Sequence, residues 1–190
     1  MSNLKHRYNI TEASDLNLTN YLFLSEGKGS KEAVLKIIQF EYLRDFINKP
    51  IFNLGFGDFD INVGEINDES MAENGDVYKV FNTVLSTVPM FFDKYHNAGV
   101  LVRGSDGRSD FEHRCKQSCM KKCTEICYKF NRRMKLYCNY VSRKCDFFEA
   151  DYQFLGGITN NEKWFNFEVF IPGKLYDALL VSGKMFKFDI

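Results

Sequence analysis

The chain has 190 residues, 45% of them hydrophobic and 16% aromatic, with nineteen Phe and ten Tyr, which is enough for a packed, ring-rich core. Three prolines and the lack of low-complexity runs argue against a disordered chain. The start, Met1-Ser-Asn-Leu-Lys-His-Arg, lacks the apolar stretch of a secretory signal, and no apolar run approaches the ~20 residues of a membrane span, so a cytoplasmic protein without membrane attachment is expected. The formal net charge is zero, but between Arg108 and Cys145 eleven Lys and Arg face three acids, leaving fourteen basic against twenty-two acidic residues elsewhere. Such a division marks either an internal pairing of charges or a surface for an anionic partner.

Taken in chain order, Tyr21–Ser25 reads as a strand closed by a Gly27-Lys-Gly29 turn, and Val34–Phe40 as a second strand, with a helix as the alternative there. Pro50–Gly57 is a third, with Asp58 and Asp60 expected to form the turn that leaves it and Ile61–Ile66 as its hairpin partner. From Val77 the apolar positions 77, 80, 81, 84, 85, 88, 91 and 92 follow helical spacing, with Asn74-Gly75-Asp76 as N-cap chemistry. A helix over about 76–95 is predicted, kinked or interrupted at Pro89. Gly99–Arg103 is a strand, and Gly104–Gly107 the turn after it.

Ser109-Asp-Phe-Glu112 has the capping-box pattern, and no Gly or Pro occurs between Arg108 and Leu155. Apolar residues from Phe111 through Cys115, Cys119, Cys123, Ile126, Phe130, Met134, Tyr137, Val141 and Cys145 to Phe148 advance by about 3.7 residues per step, close to the helical repeat. One straight helix of that length would run about 57 Å, against a radius of gyration of ~16 Å for a compact chain of this size. The unbroken stripe favours a single long helix whose outer part packs on a partner; a hairpin folded near Asn131 is the alternative. The aromatic run Trp164–Phe170 and the segment Tyr176–Val181 then supply further strands. The fold class is α+β, an antiparallel or mixed sheet packed by one mid-chain helix and one long, basic, cysteine-striped helix or helical hairpin, in a single domain over 1–190.

Four cysteines, Cys115, Cys119, Cys123 and Cys127, recur every four residues. They are the set a metal would use, but on one continuous helix each step rises about 6 Å and four sulfurs cannot converge on one tetrahedral ion. Reduced cysteines acting as small apolar residues on the helix seam are the favoured reading, and no metal or other cofactor is expected. Gly104 and Ser105, between a strand and a basic helix, could hold an anion on backbone N–H groups, with Arg133 and Tyr137 completing a ligand site. The same Gly-Ser resembles that of nucleotidyltransferases, but the carboxylates that follow, Asp110 and Glu112, fall on a helix start instead of a strand. Lys116, Lys121, Lys122, Lys129 and Arg132 form the basic partner-binding face of the long helix. No Cys-His or Ser-His-Asp arrangement can be read from the three histidines.

At Phe52-Asn-Leu-Gly-Phe-Gly-Asp58, Gly64-Glu-Ile-Asn-Asp68, Asn74-Gly-Asp76 and Gly104-Ser105 the sequence resembles an uncharacterised, Bacteroidota-type bacterial family of unknown function. That family is marked by a Tyr-Asn-Leu-x-Phe-Gly-Asp motif and a later Gly-Ser that precedes an Arg-x-Arg-Leu-Tyr helix. The matching residues here are Arg133, Lys135, Leu136 and Tyr137, and the resemblance implies that 107–130 is a helical insertion. It implies no activity. The element order also resembles the acetyl-CoA-dependent N-acetyltransferase fold, which would make Tyr137 an acid; its pyrophosphate loop would fall at Met71-Ala-Glu-Asn-Gly-Asp76, acidic where an anion should bind. The expectation is therefore a non-catalytic binding or regulatory protein, accessory to a mobile-element, defence or toxin–antitoxin-type operon. It would associate with a protein partner or a second copy through the long helix, nucleic acid being a further partner class. A degenerate acyltransferase and a cysteine-rich metal-binding module are the alternatives.

Overall fold

The computed structural model describes residues 6–15, 18–26, 32–67, 75–107, 110–118, 123, 127–160 and 164–190. The chain divides into two compact units, Met1–Ala98 and Gly99–Ile190. Among the described residues there are nine strands and three α-helices, the α+β class the sequence indicates.

The first unit is a meander of β1 (Thr11–Asp15), β2 (Leu18–Ser25), β3 (Val34–Phe46) and β4 (Lys49–Asp60), with short β5 (Glu65–Asn67) returning against β4, and one helix, α1 (Val77–Lys94). Every pairing is antiparallel. The β3–β4 hairpin turns on Ile47 and Asn48 at φ 49° and 56°, the sense that matches the right-handed twist of the flanking strands. A β-branched residue in that region is strained, and a bulge at Tyr42/Arg44 twists the hairpin further. Asp58 is paired within β4, opposite Lys36, so the expectation that it forms a turn is corrected: the β3 ladder holds it in the strand. Asp60, the last residue of β4, does form the turn as predicted, its carboxylate accepting the Asn62 N–H at 2.8 Å.

The core of this unit is aromatic. Phe40 and Phe91 stack at 4.4 Å, and Phe52 meets Phe91 and Tyr95 at 5.0 Å each. Helix α1 appears where its periodicity places it and runs through Pro89. Its buried face is different from the expected apolar one. Thr83, Ser86 and Thr87 are buried with Phe91 and Phe92, while Val77 is 60% exposed. Small residues let the helix backbone approach closely, and each hydroxyl is satisfied within the helix, on the carbonyls of Lys79, Thr83 and Val84.

The second unit contains β6 (Gly99–Arg103), a 3-10 turn at Ser105–Gly107, α2 (Phe111–Ser118), α3 (Arg132–Phe148), β7 (Tyr152–Thr159), β8 (Phe165–Val169) and β9 (Ala178–Gly183). The strands run in the order β6-β9-β7-β8, all antiparallel. The single long helix expected from the stripe is not formed. Helix α2 ends at Ser118 and α3 begins at Arg132, with Asn131 left-handed at φ 53°. The break falls at the hairpin alternative, because a left-handed residue cannot continue a right-handed helix. The periodicity persists because each helix turns one side inward, Phe111 and Cys115 of α2 being half-buried and the inner row of α3 buried. Met134, Cys138, Val141 and Cys145 of α3 pack on Phe170, Tyr176 and Leu179, so Cys138 and Cys145 are the packing cysteines the sequence indicates. Gly156 allows the Tyr176 ring to lie flat on β7; a Cβ there would stand 2.2 Å from it. Among the described residues no helix is long and apolar enough to cross a membrane.

Candidate functional site

At the end of β6 the backbone of Gly104 is buried, and a Cβ would fall 2.5 Å from Asp106 Oδ1 and 3.2 Å from Arg133 Cβ. The 3-10 turn that follows carries Asp106 inward to 6% exposure. There its Oδ2 accepts the Arg133 N–H at 2.9 Å and its main-chain oxygen accepts the Asn131 N–H at 3.0 Å. Asn131, the residue at the N-cap of α3, makes no side-chain cap bond. Asp106 supplies that cap from outside the helix, and its negative charge suits the positive end of the helix dipole.

Arg133 then reaches back, its Nη1 donating to Ser105 Oγ at 2.5 Å. Tyr137, one turn further on, is partly buried against the α3 core. Burial raises its phenol above the ordinary value; Arg133 acts against that shift and Asp106 with it. The predicted residues Gly104, Ser105 and Arg133 therefore meet, and Tyr137 lies in the same electrostatic neighbourhood. Asp106 and Asn131, which hold them in place, were not foreseen; a short polar turn facing a helix start is the signal that would have found them. A guanidinium donor on Ser105 Oγ withdraws electron density instead of abstracting a proton, so this contact does not activate the serine as a nucleophile.

The predicted basic face is partly described. Lys116, Lys129 and Arg132 are exposed, while Lys121 and Lys122 lie outside the described residues. Opposite the buried row of α3, the exposed positions are Arg132, Lys135, Leu136, Asn139, Arg143, Lys144 and Asp146, and Tyr128 before the helix is 78% exposed. Of the four regularly spaced cysteines, Cys115 and Cys123 are half-buried and Cys127 is buried; Cys119 lies outside the described residues, as do Ser109 of the predicted capping box and residues 71–74 of the loop an acyltransferase would use. Among the described residues no group of three His, Cys, Asp or Glu side chains is arranged to hold a metal ion.

A second cluster, in the first unit, was missed. Lys36 on β3 is buried and ion-paired with Asp58 on β4, with its ammonium 5.6 Å from the centre of the Phe56 ring. Asp76, at the start of α1, caps nothing with its side chain; its Oδ2 accepts the hydroxyls of Ser25 at 2.6 Å and Tyr8 at 2.7 Å. Burial pushes the Asp76 carboxyl up, but the bonds from Ser25 and Tyr8 and the nearby Lys36 ammonium outweigh it and hold the group below the usual carboxylate range. The Tyr8 phenol is raised, first by burial and then by donating to Asp76. Lys79 sits 3.7 Å over the Tyr8 ring. The signal in the sequence was a lysine inside an otherwise apolar strand, Val34-Leu-Lys-Ile-Ile, a position that demands a buried counter-charge.

Antiparallel strands packed by helices make this an α+β protein. The chain belongs to a family of unknown function, DUF6934, whose model matches residues 4–184. Neither a curated protein nor a solved structure matches it.

Proposed function

We propose that this protein is a non-catalytic binding protein that engages the acidic surface of a partner protein through the outer side of α2 and α3. The observation that carries this reading is the division of α3. One row of side chains is committed to the core, and the other exposes Arg132, Lys135, Arg143 and Lys144 around Leu136, with Tyr128 exposed just before it. An exposed aromatic and an aliphatic side chain beside arginines suit a protein-binding surface, where aromatic and Arg side chains carry much of the contact. Support for a non-catalytic role comes from Ser105, whose hydroxyl accepts from a guanidinium, and from His113, an exposed ring that meets Gln117 at 3.1 Å.

The test is fluorescence anisotropy of labelled poly-glutamate and of a labelled DNA duplex against the full chain, over a series of salt concentrations, with light scattering beside it. Poly-glutamate should bind, weaken as salt rises and lose most of its affinity in Arg132→Glu/Arg143→Glu. Tighter binding of the duplex with a steep salt slope would transfer the surface to nucleic acid. A salt-sensitive dimer abolished by the same pair would make the partner a second copy. A monomer that binds neither probe would overturn the reading.

A further inference from the structure

Helix α2 ends at Ser118, and Cys127, well beyond that end, lies back against it. Two contacts hold it there. Glu112 and Cys115, three residues apart and so on one side of the helix, meet its main chain and its side chain. The Cys127 N–H donates to Glu112 Oε1 at 3.2 Å, and the Cys127 and Cys115 sulfurs stand 3.5 Å apart. The Cys127 carbonyl accepts the Phe130 N–H at 2.9 Å, so its backbone is tied on both sides. A disulfide places its sulfurs ~2.05 Å apart, so the pair needs a closure of under ~2 Å, which turning two side chains supplies. The exposures of the two differ. Cys127 is 2% exposed, whereas Cys115 is half-buried and flanked by exposed Arg114 and Lys116. Cys138 and Cys145 are of another kind: both belong to the α3 core, where burial pushes their thiols up, that of Cys145 to about 11 with Glu149 adding to the burial. Thiols so placed are inert packing.

We propose that Cys115 and Cys127 are a redox pair that a small anionic disulfide oxidises, Cys115 reacting from solution and Cys127 resolving the intermediate. The Cys115 sulfur gives up its proton and attacks one sulfur of the small disulfide. That S–S bond breaks, and the first small thiolate leaves and takes the proton. The Cys127 sulfur, already about as close as reacting atoms must be, attacks Cys115 Sγ, displaces the second small thiolate and passes its own proton to it. Two protein thiols give up two electrons, and one small disulfide becomes two thiols. Cys115 is the entry because an oxidant can reach it and cannot reach Cys127; Arg114 and Lys116 draw an anionic one toward it. The product joins α2 covalently to the turn that leads into α3, where Asn131 N–H is bonded to the Asp106 carbonyl. In a reducing compartment such a bond is transient and reports oxidation. This inference stands independently of the partner-binding reading.

The experiment treats the full, folded, reduced chain with oxidised glutathione, traps remaining thiols by alkylation and maps the peptides by mass spectrometry. The wild type should lose the Cys115 and Cys127 thiols together, yield a peptide pair joined through them, and regain both with dithiothreitol. Cys127→Ser should stop one step earlier, with glutathione held on Cys115. Cys115→Ser should leave Cys127 unmodified, because it is buried. Cys138→Ala, in the α3 core, should still form the cross-link. If Cys127→Ser does not fold, the wild-type map and Cys115→Ser decide. Both thiols left free in treated wild-type protein would overturn the proposal, as would a cross-link that joins either of them to a different cysteine or that forms only in urea. Rapid glutathionylation of Cys127 in Cys115→Ser would overturn the assigned order of attack.

Discussion

Asp58 in the first unit and Asp106 in the second are both withdrawn from water, yet the two carboxylates are treated differently. Asp58 faces the ammonium of Lys36, itself buried, and in the same unit Asp76 collects two hydroxyls. Asp106 receives a main-chain N–H on one oxygen, while its Oδ1 and the Oδ1 of neighbouring Asn131 have no hydrogen-bond partner. The first arrangement is charge against charge. The second is a helix cap, in which shape and one acceptor matter more than charge. Two carboxylates withdrawn from water can thus differ in how much of the structure depends on their ionisation.

The largest expected effect breaks the first arrangement. Lys36→Met should cost roughly 3–5 kcal/mol in urea unfolding, since it removes the buried ammonium of a close ion pair. Replacing both, Lys36→Met with Asp58→Leu, should recover most of that loss, because two apolar residues need no partner. A loss under about 1 kcal/mol for the single variant would mean that the pair is not held as the structure places it. Next comes a control for packing in the second unit. Gly156→Ala drives a methyl into the Tyr176 ring and should cost about 1–3 kcal/mol, a loss that Tyr176→Leu in the same chain should reduce.

Asp106→Asn keeps an acceptor for the Arg133 N–H and removes the charge, so it should cost under about 1 kcal/mol, whereas Asp106→Ala, which deletes the cap, should cost about 1–2 kcal/mol. Equal losses would show that the charge matters after all and would erase the contrast with Asp58. Acid titration sharpens the contrast from the other side. The folded Asp76 carboxyl lies below its ordinary value, so the stability it adds is present above the unfolded pKa and fades as pH falls through the folded one. Removing both donors, Tyr8→Phe with Ser25→Ala, should flatten that acid limb below about pH 4 without changing the slope at neutral pH. The smallest effect is expected at Tyr21, fully buried with a hydroxyl that has no hydrogen-bond partner and a phenol pushed up to about 12 by burial and then by Glu12, Tyr95 and Asp93. Tyr21→Phe should change stability by less than about 1 kcal/mol and in the stabilising direction.

What the sequence determined by itself was local. Strands within Tyr21–Ser25, Val34–Phe40, Pro50–Gly57 and Gly99–Arg103, and a helix from Val77, follow from apolar runs and turn residues that act over a few neighbours; the structure extends the first three strands to Leu18–Ser25, Val34–Phe46 and Lys49–Asp60. The nearness of Gly104, Ser105 and Arg133 could also be read, because a turn after a strand and the helix beyond it mark one end of a layer. Three things only the tertiary structure decided. Helix α1 buries its threonines and serine because close approach to the core favours small side chains over large ones, a preference that hydropathy does not register. The stripe from Phe111 to Phe148 is two helices, since period alone records which side is inward and is blind to one left-handed residue at Asn131. Asp58 and Asp76 left their predicted roles in turn and cap because a lysine buried on a neighbouring strand and hydroxyls dozens of residues away offered them stronger bonds. Sequence separation hides such partners, and folding brings them within 3 Å.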